Sequence, residues 1–96
     1  LLDWTASGRP KRLHYVSTLA VIDKFQAGPV SELTDLTSWQ GLTSGYSQSK
    51  WVGDTLVRQA QLRGLPLAIY RLSSVTGDRA NGICNETDLM WRIVRL

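Results

Sequence analysis

"GYSQSKWVGDTLVRQAQLRGLPLAIYRL", residues 45–72, is the stretch on which the fold turns. From Ser47 onward it has the spacing of an amphipathic helix: Val52, Leu56 and Ala60 recur at steps of four, and Val57 widens that face. Gly64 supplies the stop. Gly53 weakens the helix centre by roughly 1 kcal/mol against alanine, unless close packing needs it. The apolar run that follows, Leu67 to Leu72, reads as a short strand.

Upstream, "RLHYVST" (Arg12 to Thr18) is a second strand, rich in β-branched and aromatic residues. Between this strand and the helix, from about Asp23 to Gly45, the residues Gly28, Pro29, Ser31, Thr34, Thr37, Ser38 and Gly41 mark a long loop. Long loops inside compact domains are usually functional, and Trp39 within this one is either an anchor or a substrate contact. The opening "LLDWTASGRPKR" reads as the end of a helix, with Gly8 at the C′ position and Pro10 beyond it. After the second strand, "TGDRANGICNETD" is turn-rich, and Asp88 or Thr87 caps a last helix. Two strands separated by a helix of this length imply a right-handed βαβ unit in a parallel sheet, hence an α/β fold.

Composition narrows the function classes. A hydrophobic content of 43% and a charged content of 20% are those of an ordinary soluble domain, and 96 residues suffice for one domain with a modest core. The net charge is +3, but no basic run exceeds Lys11-Arg12, so no nucleic-acid arm is present. Apolar runs fall far short of a membrane span, and no signal peptide is visible. One cysteine, Cys84, precludes an internal disulfide and fits a reducing, cytoplasmic compartment. No metal-ligand cluster stands out. The chain opens on Leu1 within an amphipathic stretch and closes on an apolar helical pattern, so the expectation is an internal piece of a longer protein.

In parallel sheets, sites gather at the carboxyl ends of the strands. That rule selects Ser17-Thr18, Leu72-Ser73-Ser74 and the start of the intervening helix, where Tyr46 and Lys50 stand four residues apart. Residues so spaced share a helix face. A free tyrosine is a poor acid–base group at neutral pH, but an ammonium about 5 Å away, at an effective dielectric near 20, favours the phenolate by roughly 3 kcal/mol. With a hydroxyl such as that of Thr18 to hold a carbonyl oxygen, the set suits hydride addition from a cofactor. Singly, each residue reads blandly: Tyr46 as a loop anchor, Lys50 as a solvated helix residue, Ser17 or Thr18 as a strand-end cap. Together, between two strands, they read as a site. His14 lies mid-strand, packed or facing solvent, and Cys84 is an inert loop thiol.

"LHYVSTLAV", "GYSQSKWVGDTL" and "AIYRLSSVTGDRANGICNETDL" resemble consecutive blocks of the extended short-chain dehydrogenase/reductase family. More narrowly they resemble thioester reductase domains, which end nonribosomal peptide and polyketide synthetases and occur in carboxylic acid reductases. The resemblance runs from Arg12 to the C-terminal helix. Tyr-x-x-x-Lys is shared across the superfamily, whereas Gly-Tyr-x-Gln-Ser-Lys-Trp-Val and the later Thr76-Gly77, Gly82, Asn85 and Asp88 are far more specific. It implies the C-terminal half of a Rossmann-like, doubly wound parallel sheet, with residues 78–96 leading into a substrate-binding region. It implies a catalytic triad of Thr18, Tyr46 and Lys50, with Lys50 also bonding the nicotinamide ribose and Leu72, Ser73 and Ser74 lying against the nicotinamide. Many relatives carry Pro-Gly where this chain has Leu72-Ser73.

The implied cofactor is NADPH and the implied partner an acyl or peptidyl thioester on a phosphopantetheine carrier, released as aldehyde or alcohol. Alternatives are a sugar-nucleotide epimerase or dehydratase of the same family, or a cofactor-sensing protein without turnover. The glycine-rich turn that seats a pyrophosphate is missing from the eight glycines here. The 96 residues are therefore expected to carry the catalytic half of a site and to be inactive alone.

Overall fold

The computed structural model describes residues 1–22 and 28–95. In order it contains helix α1 (Leu2–Ala6), strand β1 (Leu13–Thr18), a 3-10 turn (Leu19–Val21), helix α2 (Gly45–Leu62), strand β2 (Leu67–Leu72) and helix α3 (Leu89–Val94). The two strands pair in parallel, from Leu13 opposite Leu67 to Thr18 opposite Leu72. α2 is the crossover between them, as the strand–helix–strand order requires. Residues 28–44 carry no helix or strand, in keeping with the expected loop; its first part, 23–27, lies outside the described residues.

Local chemistry sets the element ends. α1 closes with Ser7 extended and Gly8 at φ +62°, a left-handed conformation suited to glycine at C′. α2 starts two residues earlier than its apolar pattern indicates, because the Ser44 side chain caps it by accepting from the Ser47 amide at 3.1 Å. It ends ahead of Gly64, which has φ +99°. α3 begins at the Asp88 cap, whose carboxylate accepts from the Met90 amide at 2.9 Å. The 3-10 turn leaves no periodic trace in the sequence; it is fixed by the Thr18 hydroxyl, which accepts from the Ala20 amide at 3.2 Å.

The core consists of Val21, Leu36, Leu42, Val57 and Leu67, with Thr5, Ser17, Thr34 and Asp54 also buried. The long loop therefore supplies at least as much apolar core as the helix does. It is held along α2 by its own backbone: Gln48 Nε2 donates to the Leu42 carbonyl (2.8 Å), Trp51 Nε1 to that of Leu36 (2.8 Å) and Arg58 Nη1 to that of Thr34 (3.3 Å). Trp51, not Trp39, is the anchoring indole; Trp39 is exposed.

Of the expected apolar face of α2, Val57 is buried, whereas Val52 and Leu56 are 50% and 52% exposed; the other buried residue of α2 is Asp54. Leu56 and Ala60 turn instead toward α1, lining with Pro66 a cleft of about 610 Å³. The face that meets the sheet includes Gly53, where an added Cβ would lie 2.5 Å from the Tyr15 hydroxyl. Close packing does need that glycine.

Candidate active site at the carboxyl edge of the sheet

α2 runs antiparallel to the strands. Near its end Gln61 Nε2 donates to the carbonyl of Leu67, the first residue of β2, at 3.2 Å. Near its middle Asp54 meets Ser17 and Arg71, each the penultimate residue of its strand. Counting back along the helix at 1.5 Å per residue, Lys50 lies about 6 Å and Tyr46 about 12 Å beyond Asp54, past the carboxyl edge. Thr18 is the last residue of β1, opposite Leu72, the last of β2. Ser73 and Ser74 follow, exposed and outside regular structure. The expected residues thus belong to three segments that end or begin at one edge.

Their side chains are open. Tyr46 is 59% exposed and Lys50 half-buried. Among the described residues, neither the Tyr46 hydroxyl nor the Lys50 ammonium has a hydrogen-bond or ion-pair partner. No hydrogen bond joins Thr18, Tyr46 and Lys50 to one another; the Thr18 hydroxyl is engaged by the Ala20 amide. Groups that act on a bound substrate are commonly loose in its absence. An ammonium without a partner among the described residues, one helical turn from an exposed phenol, and the exposed Ser73 and Ser74 fit the nicotinamide-ribose end of a dinucleotide. No residue here fits its pyrophosphate end, for want of a glycine-rich turn.

Sequence reasoning missed the most ordered part of this edge. Asp54 is fully buried, and both its oxygens are used. Arg71 forks onto it, Nη2 to Oδ1 at 2.7 Å and Nε to Oδ2 at 2.9 Å, and Ser17 Oγ donates to Oδ2 at 2.5 Å. The hydrogen bond to Asp54 holds the Arg71 guanidinium above its ordinary value, against the opposing effect of burial. One carboxylate thereby ties α2 to the ends of both strands, one residue before Thr18 and Leu72. A signal exists in Asp54 standing four residues after Lys50 and three before Val57 on a packed helix face. Its partner, 17 residues away, leaves none.

His14 is exposed on the opposite sheet face, stacked on Tyr70 with Nδ1 and the Tyr70 hydroxyl 2.9 Å apart. Cys84 is a free thiol in the loop before α3. That loop is tied to α3 by Trp91 Nε1, which donates to the Thr76 carbonyl at 2.9 Å. Among the described residues no cluster could hold a metal, and no helix is long and apolar enough to cross a membrane. The 610 Å³ cleft opens at the amino edge, beside Lys11 and Pro66, away from the strand ends where such sheets bind ligands.

All of residues 1–96 match the family model of the male sterility protein, an NAD-binding domain. The chain is 40% identical over 90 residues to the isonitrile lipopeptide synthase of Streptomyces coeruleorubidus, covering 94% of this chain and 6% of that protein. It is 37% identical over 107 residues to the L-2-aminoadipate reductase large subunit of Penicillium chrysogenum, covering 98% of this chain and 8% of that one. Among solved structures, the terminal R domain from the myxalamid PKS-NRPS biosynthetic pathway superposes with a TM-score of 0.86 at 42% identity, over 94% of this chain and 23% of that one. The chain thus spans a small fraction of the length of these relatives. The parallel pair and its crossover helix are part of a Rossmann-like α/β fold, and the chain belongs to the male sterility family of NAD-binding domains, together with the terminal reductase domains of peptide and polyketide synthases.

Proposed function

We propose that this chain is the catalytic-edge segment of an NADPH-dependent thioester reductase, a cytoplasmic enzyme that releases an acyl or peptidyl chain from a phosphopantetheine carrier as an aldehyde or alcohol. Its catalytic residues are Thr18, Tyr46 and Lys50. The observation that carries the reading is the unpartnered Lys50 one helical turn from the exposed Tyr46, both beyond the strand ends that bear Thr18 and Leu72. The small share of each relative that the chain spans supports reading it as one segment of a larger domain.

The nicotinamide, when bound, supplies a hydride to the thioester carbonyl carbon. The Thr18 hydroxyl holds the carbonyl oxygen, and the Tyr46 phenol gives it a proton, yielding a thiohemiacetal that collapses to aldehyde and thiol. The Lys50 ammonium stabilises the phenolate that Tyr46 leaves behind and donates to the ribose. The backbone at Leu72, Ser73 and Ser74 would hold the nicotinamide ring.

The test is NADPH oxidation by the full-length protein with an acyl pantetheine thioester, alongside cofactor binding by fluorescence. Tyr46→Phe removes one oxygen and should lower turnover by about 10²–10⁴-fold at nearly unchanged cofactor affinity. Lys50→Ala should damage both, and Thr18→Ala should be milder. Near-normal turnover in Tyr46→Phe would overturn the reading.

A further inference from the structure

Asp54 follows Lys50 by four residues, so their Cβ atoms lie about 6 Å apart on one helix face. A buried carboxylate at that spacing from an ammonium is its natural counter-ion. Yet the two form no ion pair: both Asp54 oxygens are taken by the Arg71 fork and by Ser17. Lys50 keeps its charge uncompensated among the described residues. The described surroundings offer no other counter-ion. From β1 the titratable side chain facing α2 is Tyr15, with its hydroxyl at Gly53. From β2 it is Arg71, and the 3-10 turn Leu19–Val21 contributes none. The loop laid along α2 carries Glu32 and Asp35, both exposed, and neither is paired with Lys50.

We propose that Arg71 is a positioning residue that sequesters the Asp54 carboxylate from Lys50, so that the lysine's whole positive charge acts on Tyr46 and on the cofactor. The inference rests on the proposed roles of Tyr46 and Lys50. It gives a buried ion pair a function beyond stability: without Arg71, the carboxylate one helical turn from Lys50 would neutralise it. Arginine suits the task because its planar fork engages both carboxylate oxygens, whereas lysine meets them as a point charge.

The experiment measures turnover and NADPH affinity of the full-length protein at neutral pH, with an acyl pantetheine thioester. Arg71→Gln should lower turnover at least tenfold and weaken NADPH binding, because the freed carboxylate then engages the ammonium. Arg71→Lys should do the same by less, and serves where Arg71→Gln does not fold. The double variant Asp54→Asn/Arg71→Gln, which removes the competing carboxylate as well, should recover both turnover and NADPH affinity. A purely structural ion pair would lower stability, and the double variant, which also lacks the pair, would recover neither. Unchanged NADPH affinity in a folded Arg71 variant, or a double variant that recovers neither quantity, overturns the inference. Tyr46→Phe in the same assay separates the two readings: if it is inactive while Arg71→Gln leaves NADPH affinity unchanged, Arg71 alone has been misassigned; if it is active, the site itself has been.

Discussion

On the face of the sheet that α2 covers, Tyr15, Ser17 and Arg71 reach the helix and end in tight contacts with Gly53 and Asp54. On the opposite face, Val16 and Tyr70 are 59% and 44% exposed, and His14 finds only Tyr70. Parallel strands are normally covered on both faces. The radius of gyration, 16.1 Å, exceeds the roughly 12–13 Å of a compact domain of this length, which accords with one covered face and one bare. The covered face is also not an ordinary apolar interface: at its carboxyl end it is held by a charged lock. The contrast teaches that the candidate site is positioned by polar geometry on one side of the sheet, and that the other side adds no such tie among the described residues.

The largest effect is expected from breaking the lock. Asp54→Ala leaves Arg71 largely buried without its carboxylate and Ser17 without an acceptor. Removing one partner of a buried pair costs about 3–5 kcal/mol. In the full-length protein this should appear as a lowered urea midpoint at unchanged slope. The raised Arg71 value gives the sign for pH: the stability that cation contributes is present below its ordinary value and lost only as pH climbs through the folded one. The loss in Asp54→Ala should therefore not fade between neutral and moderately alkaline pH. A loss under about 1 kcal/mol, the scale of an exposed pair, would mean that the lock is slack in solution.

The same contrast explains which features are legible in the sequence. β2 is bounded at Leu67 and Leu72 because a local apolar run stands between Pro66 and two serines. The carboxyl-edge rule selects Ser17-Thr18 and Leu72-Ser74 because it depends only on element order. The packed face of α2 is legible only in Val57, because periodicity counts apolar residues, and this face centres on an aspartate whose neutralising partner lies in another element. The role of Gly53 stays open for a related reason: a glycine records that something approaches, but not what.

Gly53→Ala tests that approach, with a smaller expected effect. Alanine gains about 1 kcal/mol in helix propensity, but its Cβ would meet the Tyr15 hydroxyl, and such overpacking costs about 1–3 kcal/mol. The net loss in the full-length protein should be about 0–2 kcal/mol. Tyr15→Phe removes the offending oxygen, so adding Gly53→Ala to it should no longer destabilise. The double-mutant cycle isolates the contact. A Gly53→Ala variant more stable than its parent while Tyr15 is retained would show that the helix stands further from the sheet.

The smallest effect addresses the bare face. Val16→Thr keeps size and shape and adds one hydroxyl. Where the side chain meets water, as here, such a change shifts stability by less than about 0.5 kcal/mol. Where neighbouring segments cover it, the hydroxyl is buried, and without a hydrogen-bond partner it costs about 1 kcal/mol or slightly more. A parallel sheet in the full-length protein calls for the second case, so the urea midpoint should fall by that amount, while Tyr46-dependent turnover stays unchanged because Val16 faces away from α2. A midpoint that does not move would place this face in solvent even in the whole protein. The candidate edge would then be supported from the α2 side alone, and the Asp54 lock would carry the full positional load.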